Sequence, residues 1–324
     1  MEPTGMQRRA FLALSALYIL WSHPAAAQAN ALTVGILALG NPNPAPFIQE
    51  LKARLANLGY QEGKSIRFEV RTAEGVASKL DLLARDLVAL KVGVLVAYQT
   101  PAAMAAKAAT TEMPIVLASV ADPVGSGLVK STSHPGGNIT GVSGATSEIA
   151  AKSLELVKEA VPGAKRVVIL ANEPDPFYKR FVENIQSAAA SSNIEVKVIL
   201  ARAGDDFDQH FANIKSWDAD AVIAQPTLPL GHVAESAARS KMPTVCPNSA
   251  YITAGGLMSY SADFHMLNKQ VAAVVDKVLK GRKPSDLPVE YVTAFRLTIN
   301  AKAASLIGLT LSPLLLARAD EIIE

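Results

Sequence analysis

Cysteine is almost missing from this sequence. With Cys246 alone among 324 residues, no disulfide can form within the chain, and no cysteine stands near the N-terminus to carry a lipid anchor. Lying between Val245 and Pro247, Cys246 reads as a small buried apolar residue rather than a nucleophile. Charge of one sign is missing too. The net charge is +2, and Lys and Arg form no runs interleaved with aromatic residues, which argues against a nucleic-acid partner. The histidines, His23, His134, His210, His232 and His265, show no metal-ligand spacing. After the N-terminal segment no apolar run is long enough to cross a bilayer, which takes roughly 20 residues.

What is present begins with a leader. Arg8 and Arg9 precede the apolar stretch from Ala10 to Trp21, and Ser22-His23-Pro24-Ala25-Ala26-Ala27 follows. A basic region, a short apolar core and small residues in that order predict a secretory signal peptide over residues 1–29, cleaved after Ala27 or Ala29. Arg8-Arg9-Ala10-Phe11-Leu12 resembles a twin-arginine signal, although Gln7 precedes the pair and no lysine follows it, so either export route stays open. Loss of Glu2, Arg8 and Arg9 with the leader lowers the net charge by one, and the mature protein is expected in the periplasm.

The remaining chain is longer than one hydrophobic core usually grows, and 50% of the residues are hydrophobic, so two domains are expected. From Thr33 short β-branched runs alternate with stretches of helical period. Phe47, Ile48, Leu51, Leu55 and Leu58 share a helix face that Gly59 ends, and Leu80, Leu83, Leu87 and Leu90 mark a second helix. Thr100 as N-cap and Pro101 in the first turn open an alanine-rich third helix. The pattern restarts after the glycine-bracketed segment Asn138 to Gly144, which reads as a strand crossing between two α/β halves with parallel sheets.

Enzymatic signatures are weak. Gly141-Val142-Ser143-Gly144-Ala145 lacks the last glycine of a nucleophile elbow, and Gly125-Ser126-Gly127 lacks the third glycine of a dinucleotide fingerprint. Neither an enzyme nor a cofactor or metal requirement is expected. Open α/β sheets instead bind ligands beyond the carboxyl ends of their strands, and the candidates fall there. Gln99, Thr100 and Ser119 end strands of the first half, and Asn172 ends one in the second, with Tyr178 just beyond. Asp122 precedes Pro123, while Asn248 and Ser249 lie where the chain returns toward the first half. A plain helix cap accounts equally well for Thr100, a turn or helix-core role for Asn172 and Tyr178, and a turn-initiating Asp-Pro for Asp122.

Several segments together resemble the ABC-transporter substrate-binding proteins of the tryptophan/tyrosine-binding type. They are Thr100-Pro101-Ala102-Ala103, Met113-Pro114-Ile115-Val116, Asp122 to Val129, Pro135 to Val142, Leu279-Lys280-Gly281, Asp286 to Glu290, and the tail Ala317 to Glu324. The resemblance implies a type I periplasmic binding protein: two Rossmann-like lobes joined by three crossing strands, a solute held between them, and delivery to an inner-membrane ABC permease. The chain is expected to act as a monomer. Two loops depart from the family pattern. Gly40-Asn41-Pro42-Asn43-Pro44 stands where the family has a His-Pro pair, and Gln225-Pro226-Thr227 where it often has an acidic or amide residue. Asn41 and Thr227 are therefore candidate contacts whose identity bears on the choice of solute.

The expected lobes are residues 30–142 with 250–285, and 143–249 with 286–324. The solute is expected to carry a carboxylate, as an amino acid or an aromatic or aliphatic organic acid does, bound near helix N-termini. An exported ligand sensor and an exported hydrolase are the alternatives. A repressor on this fold would need a DNA-binding helix-turn-helix where the leader stands.

Overall fold

A computed structural model describes residues 31–324, so the leader expected over residues 1–29 lies outside the described residues. The first sheet is made by β1 (Leu32–Ala38), β2 (Ile66–Thr72), β3 (Val94–Tyr98), β4 (Ile115–Val120) and β5 (Ile139–Ser143). They alternate with α1 (Ala45–Asn57), α2 (Leu80–Ala89) and α3 (Gln99–Ala109). β3 is buried over its whole length, which is why it reads as a short continuous apolar run instead of an alternating one; β5, equally buried, carries Thr140, Gly141 and Ser143 as well.

The second series runs α4 (Thr146–Ala160), β6 (Arg166–Asn172), α5 (Tyr178–Ala190), β7 (Glu195–Ala201), α6 (Phe207–Ser216), β8 (Ala221–Ala224) and α7 (Leu230–Arg239). β9 (Thr244–Val245), α8 (Ala250–Thr253), β10 (Met258–Ala262) and α9 (Phe264–Leu279) follow. β11 (Val289–Tyr291), β12 (Phe295–Asn300), α10 (Ala301–Ile307), α11 (Pro313–Ala317) and β13 (Glu321–Ile323) complete the chain. Local chemistry sets several helix starts: Asp206 accepts from the N–H groups of Asp208 and Gln209 at α6, and Asp263 accepts from Met266 N–H at α9.

The first sheet has the order β11-β5-β4-β3-β1-β2 and the second β13-β12-β10-β9-β8-β6-β7. Pairing is parallel throughout the described residues except between β10 and β12. On one face of the first sheet Phe47 and Leu51 of α1 pack with Val271 and Val275 of α9. On the other lie α2 and α3, where Ala102, Ala103 and Ala106 have no exposed surface. Cys246 is likewise fully buried, in the core of the second sheet, and burial pushes its thiol pKa up, which leaves it unreactive.

The sheets divide the chain differently from the expected lobe boundaries. β10 was expected with the first half, yet Met258 pairs with Val245 of β9 and the strand runs antiparallel to β12, all in the second sheet. The return to the first half begins only with α9. Residues 289–291, expected in the second half, form β11 instead, which fills the edge beside β5. Hydrogen-bond demand explains both shifts, because each strand satisfies an edge that would otherwise be bare.

The chain passes between the sheets three times, from β5 to α4, from β10 to α9 and from β11 to β12. Backbone hydrogen bonds tie these passages together: Val292 N–H donates to Ser143 O at 3.2 Å and Asp263 N–H to Ala294 O at 2.8 Å. On β5, Gly141 has φ +139° and a side chain there would meet Leu117 N and O at 2.3 Å. Gly141→Ala should therefore lower stability by about 2–4 kcal/mol from strain and overpacking combined. Denaturant unfolding reads the loss, and an unchanged midpoint would show that β4 yields to the added methyl group.

Candidate functional site

The carboxyl ends of β3, β4 and β5 converge at one edge of the first sheet, and each has a left-handed residue at or just beyond its end, Ser119 lying within β4 where its register with β5 shifts. Gln99 has φ +69°, Ser119 φ +58° and Ala145 φ +53°. Non-glycine residues in this region each cost on the order of 1–3 kcal/mol and tend to cluster at binding or catalytic sites. Ser143 Oγ donates to Val120 O and accepts from Ala145 N–H, so the junction is held rigidly. Gly144 leaves room for Ser119, because a side chain at position 144 would meet Ser119 Oγ at 2.9 Å.

These junctions line a narrow cavity of about 60 Å³ between the sheets, with Gln99, Thr100 and Ser119 on one wall and Asp175, Gln225 and Thr227 on the other. A wider hollow of about 580 Å³ adjoins it and shares Tyr98, Asn248, Ser249 and Phe264 with it. Its own walls are largely apolar, including Pro42, Pro46, Phe47 and Leu230, with Asn41 and His232 among the polar groups. Phe47 stacks on Tyr98 at 4.3 Å between ring centroids, which fixes the ring that divides the two spaces. No lysine or arginine lines either space.

The wall from the second sheet is a buried polar network. Asp175 Oδ2 accepts from Gln225 Nε2 at 2.8 Å and from Thr227 Oγ1 at 2.6 Å, while Oδ1 accepts from Phe177 N–H at 2.9 Å. Asn172 stands behind it, donating through Nδ2 to Thr227 Oγ1 and through its N–H to Gln225 Oε1. Burial pushes the Asp175 carboxyl pKa up, against the lowering effect of Thr227, Phe177 N–H and Gln225.

The candidate positions sort clearly. Gln99, Thr100, Ser119, Thr227, Asn248 and Ser249 line the narrow cavity, and Asn41 lines the wider hollow. Thr100 is not the N-cap of α3: Tyr98 holds that position, and the Thr100 hydroxyl accepts from Ala121 N–H at 3.3 Å. Three candidates line neither space. Asp122 accepts from Gly125 N–H at 2.7 Å and so closes its own turn. Asn172 supports the wall from behind, and Tyr178 lines a separate surface hollow with Lys179, Val182 and Leu200. Asp175 was missed, although an acid between Pro174 and Pro176 just after a strand end was the available signal. Among the described residues no His, Cys, Asp and Glu grouping suits a metal ion.

Residues 43–323 match the family described as ABC transporter substrate binding protein. The chain belongs to this family. It is 28% identical over 252 residues to the Tyrosine-binding protein of Clostridioides difficile (strain R20291), covering 76% of this chain and 72% of that protein. Among solved structures, the ABC domain from Streptococcus pneumonia in complex with L-Trp is 28% identical with a TM-score of 0.82, covering 91% of this chain and all (100%) of that one. A conserved domain protein from Vibrio cholerae is 29% identical with a TM-score of 0.84, covering 90% and 100%. The fold is that of the type I periplasmic binding proteins. The family consists of substrate-binding proteins rather than enzymes, which work with a permease outside the cytoplasm. No helix among the described residues is long and apolar enough to cross a membrane.

The buried acid has a consequence for stability. The folded Asp175 carboxyl keeps its proton to higher pH than its ordinary value of 3.8, so this group's contribution to stability falls as pH rises through the interval above 3.8. Asp175→Asn should flatten that slope in the ligand-free protein. Denaturant titrations across mildly acidic pH compare the two proteins, and identical slopes would mean that Asp175 is not the group responsible.

Proposed function

We propose that this chain is the periplasmic solute-binding component of an ABC importer and that its solute is an α-amino acid, closed between the lobes and delivered to the permease. Asp175 carries this reading. It is a buried carboxyl in a cavity without a lysine or arginine, so a cation must come from the ligand if the acid is to ionise at low cost. An α-ammonium group supplies it.

The opposite wall suits the carboxylate. α3 begins without a side-chain cap, and its first-turn N–H groups carry the positive end of the helix dipole. Thr100 accepts from Ala121 through its oxygen, which leaves its own proton to donate to a ligand oxygen. An anion is thereby held without a basic side chain. The ligand's side chain then extends past Tyr98 and Phe264 into the wider apolar hollow, which has room for an aromatic or branched aliphatic group. The solutes named for the relatives, tyrosine and L-Trp, are of this chemical kind.

A thermal-shift panel tests the reading with L-tryptophan, L-tyrosine and L-leucine beside their desamino acids. An amino acid present at 100 times its dissociation constant should stabilise the protein by about 2.7 kcal/mol, with the desamino acids weaker. Equal or stronger stabilisation by the desamino acids, or by benzoate, would replace the amino-acid assignment with an organic-acid one.

Export through the segment from Arg8 to Ala27 is part of the same proposal. Protein recovered from the periplasm should begin near Gln28 or Asn30, and N-terminal sequencing that finds Met1 or Met6 would overturn it.

A further inference from the structure

We infer that Gly75 and Ala203, one on each lobe, form a stop that sets how far the mouth of the cleft closes and thereby how fast a solute leaves. β2 is an edge of the first sheet and β7 an edge of the second, while the passages between the sheets leave from β5, β10 and β11, toward the opposite end of each strand order. The turns after β2 and β7 therefore lie far from the hinge. They meet across the cleft. A Cβ built on Gly75 would lie 3.5 Å from the Ala203 methyl carbon, an ordinary van der Waals separation, so the gap between the turns holds about one methyl group.

Each turn is braced on its own lobe. Gly75 N–H donates to Leu39 O at 2.7 Å, and Val76 N–H to Ala73 O at 2.9 Å. In the other turn Asp205 Oδ2 accepts from Arg202 N–H at 2.9 Å and pairs with His210 Nε2 at 2.9 Å, while Arg202 Nε donates to Glu173 Oε2 at 2.5 Å. Among the described residues no hydrogen bond or ion pair joins one turn to the other. Dispersion between a few carbon atoms is weak, so two braced tips in apolar contact limit closure by short-range repulsion and do little to hold the lobes together. Leverage makes the tips decisive, because hinge rotation displaces each point in proportion to its distance from the axis. Gly75 also receives Asn41, whose Nδ2 would lie 2.2 Å from a Cβ at position 75. One bare Cα thus lets the opposite lobe and a residue that lines the wider hollow pack at the same point.

Ala203→Leu tests this, since its turn is held by bonds in which the methyl group takes no part. For whichever of L-tryptophan, L-tyrosine and L-leucine binds the parent best, stopped-flow measurements should show dissociation roughly 10-fold faster and association changed by less than about 3-fold. Ala203→Gly, which widens the gap, should leave dissociation within about 3-fold of the parent's. An unchanged release rate in Ala203→Leu, whatever its melting temperature, would overturn the inference. Fast release from Ala203→Gly would overturn it too, because the contact would then hold the lobes by attraction. If none of the three amino acids binds the parent, the functional reading fails on its own account and a cross-link decides for the stop. Gly75→Cys and Ala203→Cys are combined with Asn41→Ala, which gives the new side chain room. The 3.5 Å separation falls in the disulfide range of roughly 3.5–4.5 Å between Cβ atoms, and Cys246 is fully buried and does not compete. Oxidation should join the two turns by a reducible bond without any solute, and failure to form it would overturn the inference.

Discussion

Parallel pairing is the constraint from which the site follows. Strands that run in one direction all end at the same edge of their sheet, and each crossover helix there begins with N–H groups that have no partner in its own helix. In this chain β3, β4 and β5 end side by side, so the turns at Gln99, Ser119 and Ala145 gather at one place. The second sheet brings the ends of β6 and β8 to face them. The passages between sheets sit at the same edge and are only a few residues long, with Val292 bonded to Ser143 and Asp263 to Ala294. A rotation of one lobe on the other is then absorbed by few backbone dihedrals, as hinge closure requires.

The cavity concentrates features that cost stability. Two left-handed residues, Gln99 and Ser119, and the buried Asp175 line a space of about 60 Å³, with the left-handed Ala145 next in sequence to the lining residues Gly144 and Thr146. Elsewhere Asp220 accepts from Lys165 and Arg166 N–H groups and Asn138 donates to Thr110 and Met113 carbonyls, while Ser153 Oγ, Asn268 Oδ1 and Arg296 Nε, like Gln99 Oε1, have no partner. A scaffold can carry several unmet groups at one place when the surrounding cores are dense, and here each sheet is packed on both faces by fully buried residues.

Much of the fold was legible from periodicity. The helix face Phe47, Leu51 and Leu55 is buried as its spacing demanded, and Ala221–Ala224 and Phe207–Ser216 fall where their patterns placed them. The C-terminal part was less legible because its strands are short: β11 and β13 span three residues each, too few to show a period. Within the site, Thr100 was reached through the readable start of α3, and Ser119 through the end of the apolar run that forms β4. Gln99's strain was not, since a glutamine, unlike a glycine, gives no sign of a left-handed turn. Asp175 was overlooked beside Asn172 because only tertiary contact turns a loop acid into a buried one. Tyr178 failed for a related reason: one position before it, Phe177 turns inward to the cavity, while Tyr178 begins α5 and faces outward.

The two loops singled out in the sequence, Gly40 to Pro44 and Gln225 to Thr227, line different spaces. Gln225 and Thr227 belong to the narrow cavity, where both donate to Asp175, so on the proposed reading that loop bears on the solute's head group. Asn41 and Pro42 line only the wider hollow, beyond Tyr98. On the proposed reading, Asn41 to Pro44 in place of a His-Pro pair alters the wall that meets the solute's side chain and leaves the head-group contacts alone. A hollow of about 580 Å³ with mostly apolar walls discriminates weakly among side chains of similar size, since one methylene is worth only about 1–3 kcal/mol there. The narrow cavity discriminates by polar groups left unmet, which is the stronger effect. On the proposed amino-acid reading, selection of the solute's class lies with Asp175, Gln225, Thr227 and the α3 junction, and selection within the class with the loop after β1.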